Sequence, residues 1–294
     1  MAYPIKTSQV SDILEAMYDY RQEMVPLFIG APGIGKTQGI HEFARKKGAK
    51  VVTFILSNTI PSEVSGIRMP DKESKKMEVF DDLRMASLED GDILFFDEFL
   101  EAPPQLWASC LTLIQDRIMA SGEKLKDVFI VAASNKIRTP MSIPPSTRDR
   151  FQFIELSFDF DNWVKYMFEQ KGYSVDHALK SCIEGDSDQY NIFTPRRATK
   201  FIDWLQDGKM LDIKKEVILH EVSDVEYKAL LNTAKSKTNN PRLAMKRVIE
   251  DVTDSYIGID FWSKPFAEIL ETLQADSRWP QIKDALSKEE ICIN

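Results

Sequence analysis

The fold of this chain is decided by Gly30-Ala31-Pro32-Gly33-Ile34-Gly35-Lys36-Thr37, which follows the apolar run Val25–Ile29. The spacing of glycine, four residues, glycine, lysine and threonine defines a phosphate-binding P-loop. Glycines let the backbone turn tightly and direct successive amide groups at an anion, and the helix that follows directs its positive dipole end to the same place. A strand before the loop and a potential helix over 38–47 after it favour this interpretation over a glycine-rich turn without a ligand.

Two functional side chains close this loop. Lys36 brings a point charge for the β- and γ-phosphates of a nucleotide, and the Thr37 hydroxyl is placed to bind Mg²⁺. We therefore predict that the nucleotide contacts one continuous segment, which consists of Gly30, Ala31, Pro32, Gly33, Ile34, Gly35, Lys36, Thr37 and Gln38.

The composition is ordinary for a globular protein. The chain has 294 residues, of which 43% are hydrophobic and 29% charged, which leaves room for a large core and a satellite domain. No run approaches the roughly 18 apolar residues of a membrane span, and the N-terminus lacks the apolar core of a signal peptide. Three widely spaced cysteines (Cys110, Cys182 and Cys292) form no metal or disulfide pattern, so we expect a cytoplasmic protein.

The net charge of −8 argues against a protein whose main task is to coat nucleic acid, because neutralising phosphates needs a basic face. Short basic runs such as Arg45-Lys46-Lys47 leave room for a local basic strip, although runs of this length usually form solvated faces. Nucleic acid therefore stays an open but disfavoured partner.

Five short apolar runs alternate with helical or turn segments in the first half of the chain. They are rich in Val, Ile and Phe and too short for helices: Val25–Ile29, Val51–Leu56, Ile93–Phe96, Val128–Ala133 and Phe151–Leu156. Near-continuous apolar strands of this kind are typical of a parallel sheet that helices cover on both faces. A polar insertion over 60–77 predicts an exposed hairpin or loop, and Ser121-Gly122-Glu123-Lys124 predicts the turn of a small hairpin.

From Phe158 onward no strand pattern is convincing, and apolar residues recur at helical spacing. We therefore divide the chain into an αβα nucleotide-binding core over 1–158, a helical domain over 159–240 and a helical C-terminal extension over 241–294. The aromatic residues Trp262 and Phe266 of that extension favour a core position over a partner-binding surface.

The third apolar run ends in two adjacent acids, Asp97 and Glu98. The carboxyl end of such a strand is where Mg²⁺ held by a P-loop threonine finds its acidic partner, which we assign to Asp97. Glu98 can accept a proton from a water that attacks the γ-phosphate, a general-base role. A solvated acidic turn is the alternative for this pair taken alone, but the P-loop earlier in the chain favours the catalytic interpretation.

Two further side chains follow or precede the remaining strands. Asn135 ends the fourth strand, where it would lie beside the γ-phosphate and position the water; a turn-capping asparagine is the alternative. Arg150 precedes the fifth strand. It is either a surface residue paired with Asp149 or with Asp81-Asp82, or an arginine finger that reaches into the nucleotide site of a neighbouring subunit, which requires a ring.

Thr194-Pro195-Arg196-Arg197 has the features of a helix start, with threonine as the cap and proline at the first position. Arginines oppose the helix dipole at this end. That cost indicates an anionic ligand, for which a γ-phosphate is suitable, with an exposed arginine pair as the alternative.

Taken in this order, the segments resemble those of the AAA+ ATPases, and within them the MoxR and dynein-related branch. The resemblance covers about residues 8–235. Besides the motifs above, it is carried by Pro61-Ser62-Glu63-Val64-Ser65-Gly66, by 98–118 with its Ala-Pro-Pro and Leu-Ile-Gln-Asp-Arg, and by 143–151.

The resemblance implies a P-loop NTPase αβα sandwich whose five-stranded parallel sheet has the order 5-1-4-3-2, followed by an α-helical lid. It also implies a hexameric ring that uses ATP and Mg²⁺ to remodel a separate protein. The implied catalytic residues are Lys36, Glu98, Asn135 as first sensor, Arg150 as the finger acting in trans, and Arg196 as the lid sensor that also contacts the nucleotide. Thr37 and Asp97 hold the metal, and Asn58 matches a residue that restrains the catalytic glutamate in some relatives.

Departures from the family pattern leave choices open. The usual Asn-Pro after the fourth strand is Asn135-Lys136 here, and the lid has Arg197 beside Arg196, so that both arginines are candidates for one role. Arg148 is a second candidate for the finger. No effector domain follows the lid, so we expect the effector to be a separate chain.

Two other functions compete with protein remodelling. An AAA+ motor that acts on nucleic acid, such as a helicase, loader or translocase subunit, is opposed by the net charge. It is also opposed by Lys136-Ile137-Arg138, which lacks the acid that would read guanine in GTP-using relatives. A scaffold that binds ATP without turnover is opposed by the intact Glu98, Asn135 and arginines.

Overall fold

A computed structural model describes residues 4–70, 76–135, 145–184, 193–237, 249 and 271–288 of the chain. The chain forms two compact units, Met1–Asp159 and Phe160–Asn294. The described strands all lie in the first unit, and the described elements of the second are helices.

The first unit is built on a six-stranded sheet in which every neighbouring pair is parallel. Its strands are β1 (Ile5–Lys6), β2 (Pro26–Gly30), β3 (Val51–Ile55), β6 (Ile93–Asp97), β7 (Phe129–Asn135) and β8 (Gln152–Ser157). Their order across the sheet is β1-β8-β2-β7-β6-β3. Since β2, β3, β6, β7 and β8 are the five strands that the sequence predicts, the order 5-1-4-3-2 is confirmed. The two-residue strand β1, which the sequence pattern does not predict, makes the sheet six-stranded by pairing with β8.

Alternate residues along the strands face two separate cores, one on each side of the sheet. In β6, Leu94 and Phe96 belong to one core, while Ile93 and Phe95 belong to the other, and all four side chains are fully buried. Burial of both faces explains why this strand is a continuous apolar run rather than an alternating one.

Helices cover both faces of the sheet. In this unit they are α1 (Val10–Tyr18), α2 (Lys36–Lys47), α3 (Pro61–Ser65), α4 (Leu83–Ala86), α5 (Pro104–Asp116) and α6 (Pro145–Arg148). α1 and α2 share the core of Phe95, and α5 shares the core of Phe96. α1 approaches α2 closely because residue 39 is glycine: a Cβ there would lie 2.8 Å from Cγ1 of Val10.

Two hairpins extend from this unit, as predicted. β4 (Ile67–Pro70) pairs antiparallel with β5 (Met77–Phe80), and an antiparallel bridge joins Ile118 to Lys124. The hairpins touch one another, because the Ser121 N–H donates a hydrogen bond of 3.1 Å to Oδ1 of Asp81. The polar insertion of the sequence is therefore a hairpin, although residues 71–75 lie outside the described part.

The second unit is helical throughout its described residues. Its helices are α7 (Phe160–Lys171), α8 (Leu179–Glu184), α9 (Pro195–Leu205), α10 (Leu211–Leu219), α11 (Asp224–Lys235) and α12 (Trp279–Lys288). They confirm the helical character that the sequence predicts from Phe158 onward. Trp262 and Phe266 of the predicted extension lie outside the described residues. The separate extension over 241–294 stays a prediction.

None of the helices in the described part of the chain is long and apolar enough to cross a bilayer.

Candidate nucleotide-binding site

The P-loop connects the carboxyl end of β2 to the amino end of α2, because Gly30 is the last residue of the strand and Lys36 the first of the helix. Gly33 and Gly35 have φ angles of 74° and 108°, in the left-handed region that favours glycine. A Cβ at Gly30 would lie 2.6 Å from Cδ1 of Ile34. The loop geometry therefore requires all three glycines, and it leaves the amino end of α2 directed at the loop, where an anion is stabilised.

The Lys36 ammonium lies inside this loop, and the residue is only 7% exposed. Nζ donates hydrogen bonds to the carbonyl oxygens of Gly30 at 2.8 Å and Ala31 at 3.0 Å. It donates another, of 3.0 Å, to Oδ1 of Asn135. The structure thus brings Asn135, at the end of β7, to the P-loop lysine, as its predicted sensor role requires.

Thr37 and Asp97 also meet, since Oγ1 of Thr37 donates a hydrogen bond of 3.2 Å to Oδ2 of Asp97. Burial raises the pKa of Asp97 above its ordinary value, although hydrogen bonds from the Glu98 N–H and from Thr37 oppose the shift. A hydroxyl and a carboxylate are hard oxygen donors of the kind that Mg²⁺ takes alongside phosphate oxygens and water. The pair that the sequence proposes for the metal therefore fits it in chemistry and in proximity.

Glu98 begins a sharp turn directly after β6. Its φ and ψ of 55° and 39° are left-handed, which is uncommon outside glycine and costs energy. The Ser57 hydroxyl, just beyond the end of β3, donates a hydrogen bond to Oε2 of Glu98. The sequence resemblance implies this contact for Asn58, but the residue that touches the carboxylate is the preceding one, because the chain turns immediately after β3.

A second carboxylate touches the end of β7. Oε1 of Glu101 accepts a hydrogen bond of 2.9 Å from the backbone N–H of Asn135, and Oε2 accepts one from the Ser134 hydroxyl. Sequence reasoning missed both Ser57 and Glu101. For Glu101 a signal was present, since it is an acid three residues after Glu98 in the turn that follows the strand.

The two candidate finger residues lie between α6 and β8: Arg148 is the last residue of α6, and Arg150 follows it by two positions. Arg150 donates a hydrogen bond of 2.9 Å through Nε to Oε1 of Gln115, on α5. Of the predicted alternative partners, Asp82 pairs with Arg84 and Asp81 accepts a hydrogen bond from the Ser121 N–H, while a pair with Asp149 stays a prediction. The Arg148 guanidinium lies 5.8 Å from the centre of the Phe153 ring.

In the second unit, Thr194 caps α9 as predicted, accepting a hydrogen bond of 3.2 Å from the Arg197 N–H. Arg197 forms an ion pair with Glu221, whereas Arg196 is exposed and has no ion pair among the described residues. The two arginines therefore differ: one is engaged within its own unit, and the other is the better candidate for a ligand.

Comparison with known proteins supports the same fold and family. Residues 26–151 match the family model of the AAA domain, dynein-related subfamily. No protein of curated function matches the chain.

Among solved structures, a point mutant of RuvB from Thermotoga maritima has a TM-score of 0.51 and 17% identity, over 97% of this chain and 89% of that one. A second RuvB mutant has a TM-score of 0.50 and 17% identity, over 97% and 88%. These identities are low, so the likeness shows the fold alone. With the P-loop at one end of the matched segment and Arg150 at the other, the chain contains an AAA domain of the dynein-related subfamily over residues 26–151.

Proposed function

We propose that this chain is an Mg²⁺-dependent ATPase of the MoxR type, which works as a homo-oligomeric, hexameric ring and remodels a protein or protein complex. The observation that carries the proposal is the environment of Lys36, whose ammonium lies between the P-loop carbonyls and Asn135. The next residue, Thr37, is hydrogen-bonded to Asp97, which directly precedes Glu98.

Each of these residues has a distinct task in hydrolysis. The triphosphate of ATP replaces the oxygens that now surround Lys36 and takes its charge-assisted hydrogen bonds. Thr37 and Asp97 would hold Mg²⁺, which would neutralise charge at the phosphates. Glu98 takes a proton from the attacking water. The oxygen of that water bonds to the γ-phosphorus as the bond between the γ-phosphorus and the oxygen of the leaving ADP breaks. Asn135 orients that water, and the products are ADP and phosphate.

Turnover in Mg²⁺, compared with turnover in excess EDTA, tests this activity. We expect phosphate release from ATP that depends on Mg²⁺. Tight ATP binding without any phosphate release would favour the scaffold that uses nucleotide only to assemble.

The ring is proposed because Arg150, which the sequence resemblance implies as the finger, stands just before β8 and is hydrogen-bonded to Gln115 of α5. Its guanidinium would stabilise charge on the neighbour's γ-phosphate in the transition state, an effect of about 10³–10⁵ in rate where such fingers act. Mixing Arg150→Ala with wild-type protein tests this: a shared site predicts that the variant poisons wild-type subunits, whereas a linear mixing curve contradicts it.

A protein client is proposed because the β4–β5 hairpin presents apolar surface. Ile67, Met69 and Met77 are 55%, 54% and 59% exposed. An exposed apolar patch of this kind favours binding of a protein over binding of a nucleic acid, whose backbone is charged. Capture with Glu98→Gln, which should hold the ATP-bound state, is the test. The double variant with Lys36→Met is the matched control, since it should retain neither nucleotide nor client.

A motor that acts on nucleic acid is the alternative function, and the likeness in fold to RuvB is the observation that favours it. The net charge of −8 opposes it. Single-stranded and duplex DNA should both be added to the turnover assay. Stimulation that falls steeply with salt, with a log–log slope of about −0.9 for each contacted duplex phosphate, would establish the alternative.

A further inference from the structure

We infer that Glu101 is a positioning residue, which holds Asn135 in place by accepting the hydrogen bond of its backbone N–H. The inference rests on the proposed function, because it assigns Asn135 the task of orienting the attacking water. Glu101 lies in the turn after β6 and connects this turn to the end of β7.

The connection begins where the two parallel strands part. β6 and β7 pair as far as Phe96 and Ala132, after which the chain leaves the sheet at Glu98 in its left-handed conformation. A regular ladder therefore cannot continue to the last residues of β7. The backbone groups at this point take their hydrogen-bond partners from outside the strand ladder.

The substitute is the short 3₁₀ turn Phe99–Glu101. The Leu100 N–H donates a hydrogen bond of 3.1 Å to Oγ of Ser134, which donates in turn to Oε2 of Glu101. Oε1 of the same carboxylate accepts the Asn135 N–H at 2.9 Å. One side chain thus replaces the missing strand partner with both of its oxygens.

The turn that carries Glu101 is itself fixed in the core. Phe99 is fully buried and makes an edge-to-face contact with Phe151, with ring centres 4.8 Å apart. The Trp107 indole N–H donates a hydrogen bond of 2.8 Å to the Phe99 carbonyl. Glu101 therefore extends from a rigid base, and its carboxylate can define the position of the residue it holds.

The chain of contacts ends at the phosphate-binding lysine. The Asn135 backbone N–H donates to Glu101 and its side-chain oxygen accepts from Lys36, so Asn135 is held from two directions. When Lys36 instead donates its hydrogen bonds to a triphosphate, Asn135 keeps the hydrogen bond from its backbone N–H to Glu101. Glu101 then keeps the Asn135 amide facing the water, which affects the rate of hydrolysis more than the affinity for nucleotide.

The first experiment needs no turnover. Amide hydrogen exchange of the Asn135 N–H, followed by mass spectrometry on overlapping peptides across β7, is compared in wild type, Glu101→Ala and Glu101→Gln. Glu23→Ala is the matched control, because Glu23 is exposed on the turn before β2. We expect faster exchange in Glu101→Ala only, because the glutamine oxygen accepts the same hydrogen bond. Unchanged exchange in Glu101→Ala overturns the inference.

The second experiment measures kcat and KM for ATP. We expect Glu101→Ala to lower kcat about tenfold with KM and ADP affinity unchanged, since a slightly misplaced group loses rate rather than binding. We expect Glu101→Gln to restore most of it. In an Asn135→Ala background, Glu101→Ala should have no further effect, because one acts through the other.

Losses that multiply in the double variant, or a glutamine variant as slow as alanine, would overturn the positioning role. If wild-type protein has no turnover at all, the proposed function fails. The exchange experiment then still decides whether Glu101 holds Asn135.

Discussion

The Lys36 ammonium is hydrogen-bonded at 3.0 Å to Oδ1 of Asn135, a residue 99 positions further along the chain. Two groups that the proposed function assigns to the same phosphate are therefore in direct contact. This arrangement keeps the buried ammonium satisfied, because a buried charge without hydrogen-bonding partners is costly. Nucleotide binding exchanges one set of oxygens around Lys36 for another.

Lys36→Met should abolish tight nucleotide binding while keeping the apolar stem of the side chain. Loss of charge-assisted hydrogen bonds worth about 1.5–3 kcal/mol predicts an affinity for ADP that is roughly 10- to 100-fold weaker. Calorimetric titration with ADP measures this. Lys126→Met, at an exposed position, is the control and should bind as wild type does; equal affinity in the two variants would contradict the assignment.

Ser57→Ala should raise basal ATP turnover. The Ser57 hydroxyl holds the Glu98 carboxylate through Oε2, and we expect this contact to compete with the attacking water for the carboxylate. A hydrogen bond worth about 1 kcal/mol predicts a roughly fivefold faster rate when it is absent. Asn58→Ala is the matched control and should leave the rate unchanged. A slower Ser57→Ala enzyme, or the same effect from Asn58→Ala, would count against Ser57 as the restraint.

The sheet and the P-loop could be predicted from the sequence because both depend on local pattern. Strands buried on two faces are continuous apolar runs, and the glycine–lysine–threonine spacing identifies the loop without reference to the rest of the chain. β1 could not be predicted, because its two residues, Ile5 and Lys6, are too few to show an alternating hydrophobic pattern.

Side-chain partners were harder to predict, because they depend on turns that periodicity does not encode. The contact to Glu98 is displaced by one residue, from Asn58 to Ser57, through the turn after β3. Glu101 meets Asn135 only because Glu98 is left-handed and ends the strand ladder early. Composition and residue spacing predict neither the turn after β3 nor the left-handed conformation of Glu98.

Asp97→Asn should stabilise the nucleotide-free protein in a pH-dependent way. Burial raises the pKa of Asp97, and an acid whose pKa is raised on folding destabilises the fold increasingly as pH rises from its unfolded value through its folded one. The thermal midpoint of the variant should therefore exceed that of wild type at neutral pH, and the difference should vanish as the pH falls to about 4. Thermal unfolding in EDTA across this range measures it.

Two other results would contradict the role of Asp97. One is a difference in thermal midpoint that does not change with pH. The other is an Asp97→Asn variant that keeps its Mg²⁺-dependent turnover, because the asparagine amide cannot replace the carboxylate charge at the metal.

Arg196→Ala and Arg197→Ala should separate catalysis from stability. Arg196 is exposed, so its loss should slow ATP turnover without changing the thermal midpoint. Arg197 is paired with Glu221, and its loss should lower stability by at most about 1 kcal/mol, as for other surface ion pairs, with turnover kept. Turnover and thermal unfolding of the two variants decide the matter, and the reverse pattern would assign the lid role to Arg197.

Glu98→Gln removes the group that acts as the base of the proposed ATP-hydrolysing site. ATP affinity and phosphate release should be measured on the same preparation. Because the glutamine amide cannot take a proton from water, we expect unchanged ATP binding and turnover lowered by about 10²-fold or more. Undiminished ATP hydrolysis in Glu98→Gln would contradict it.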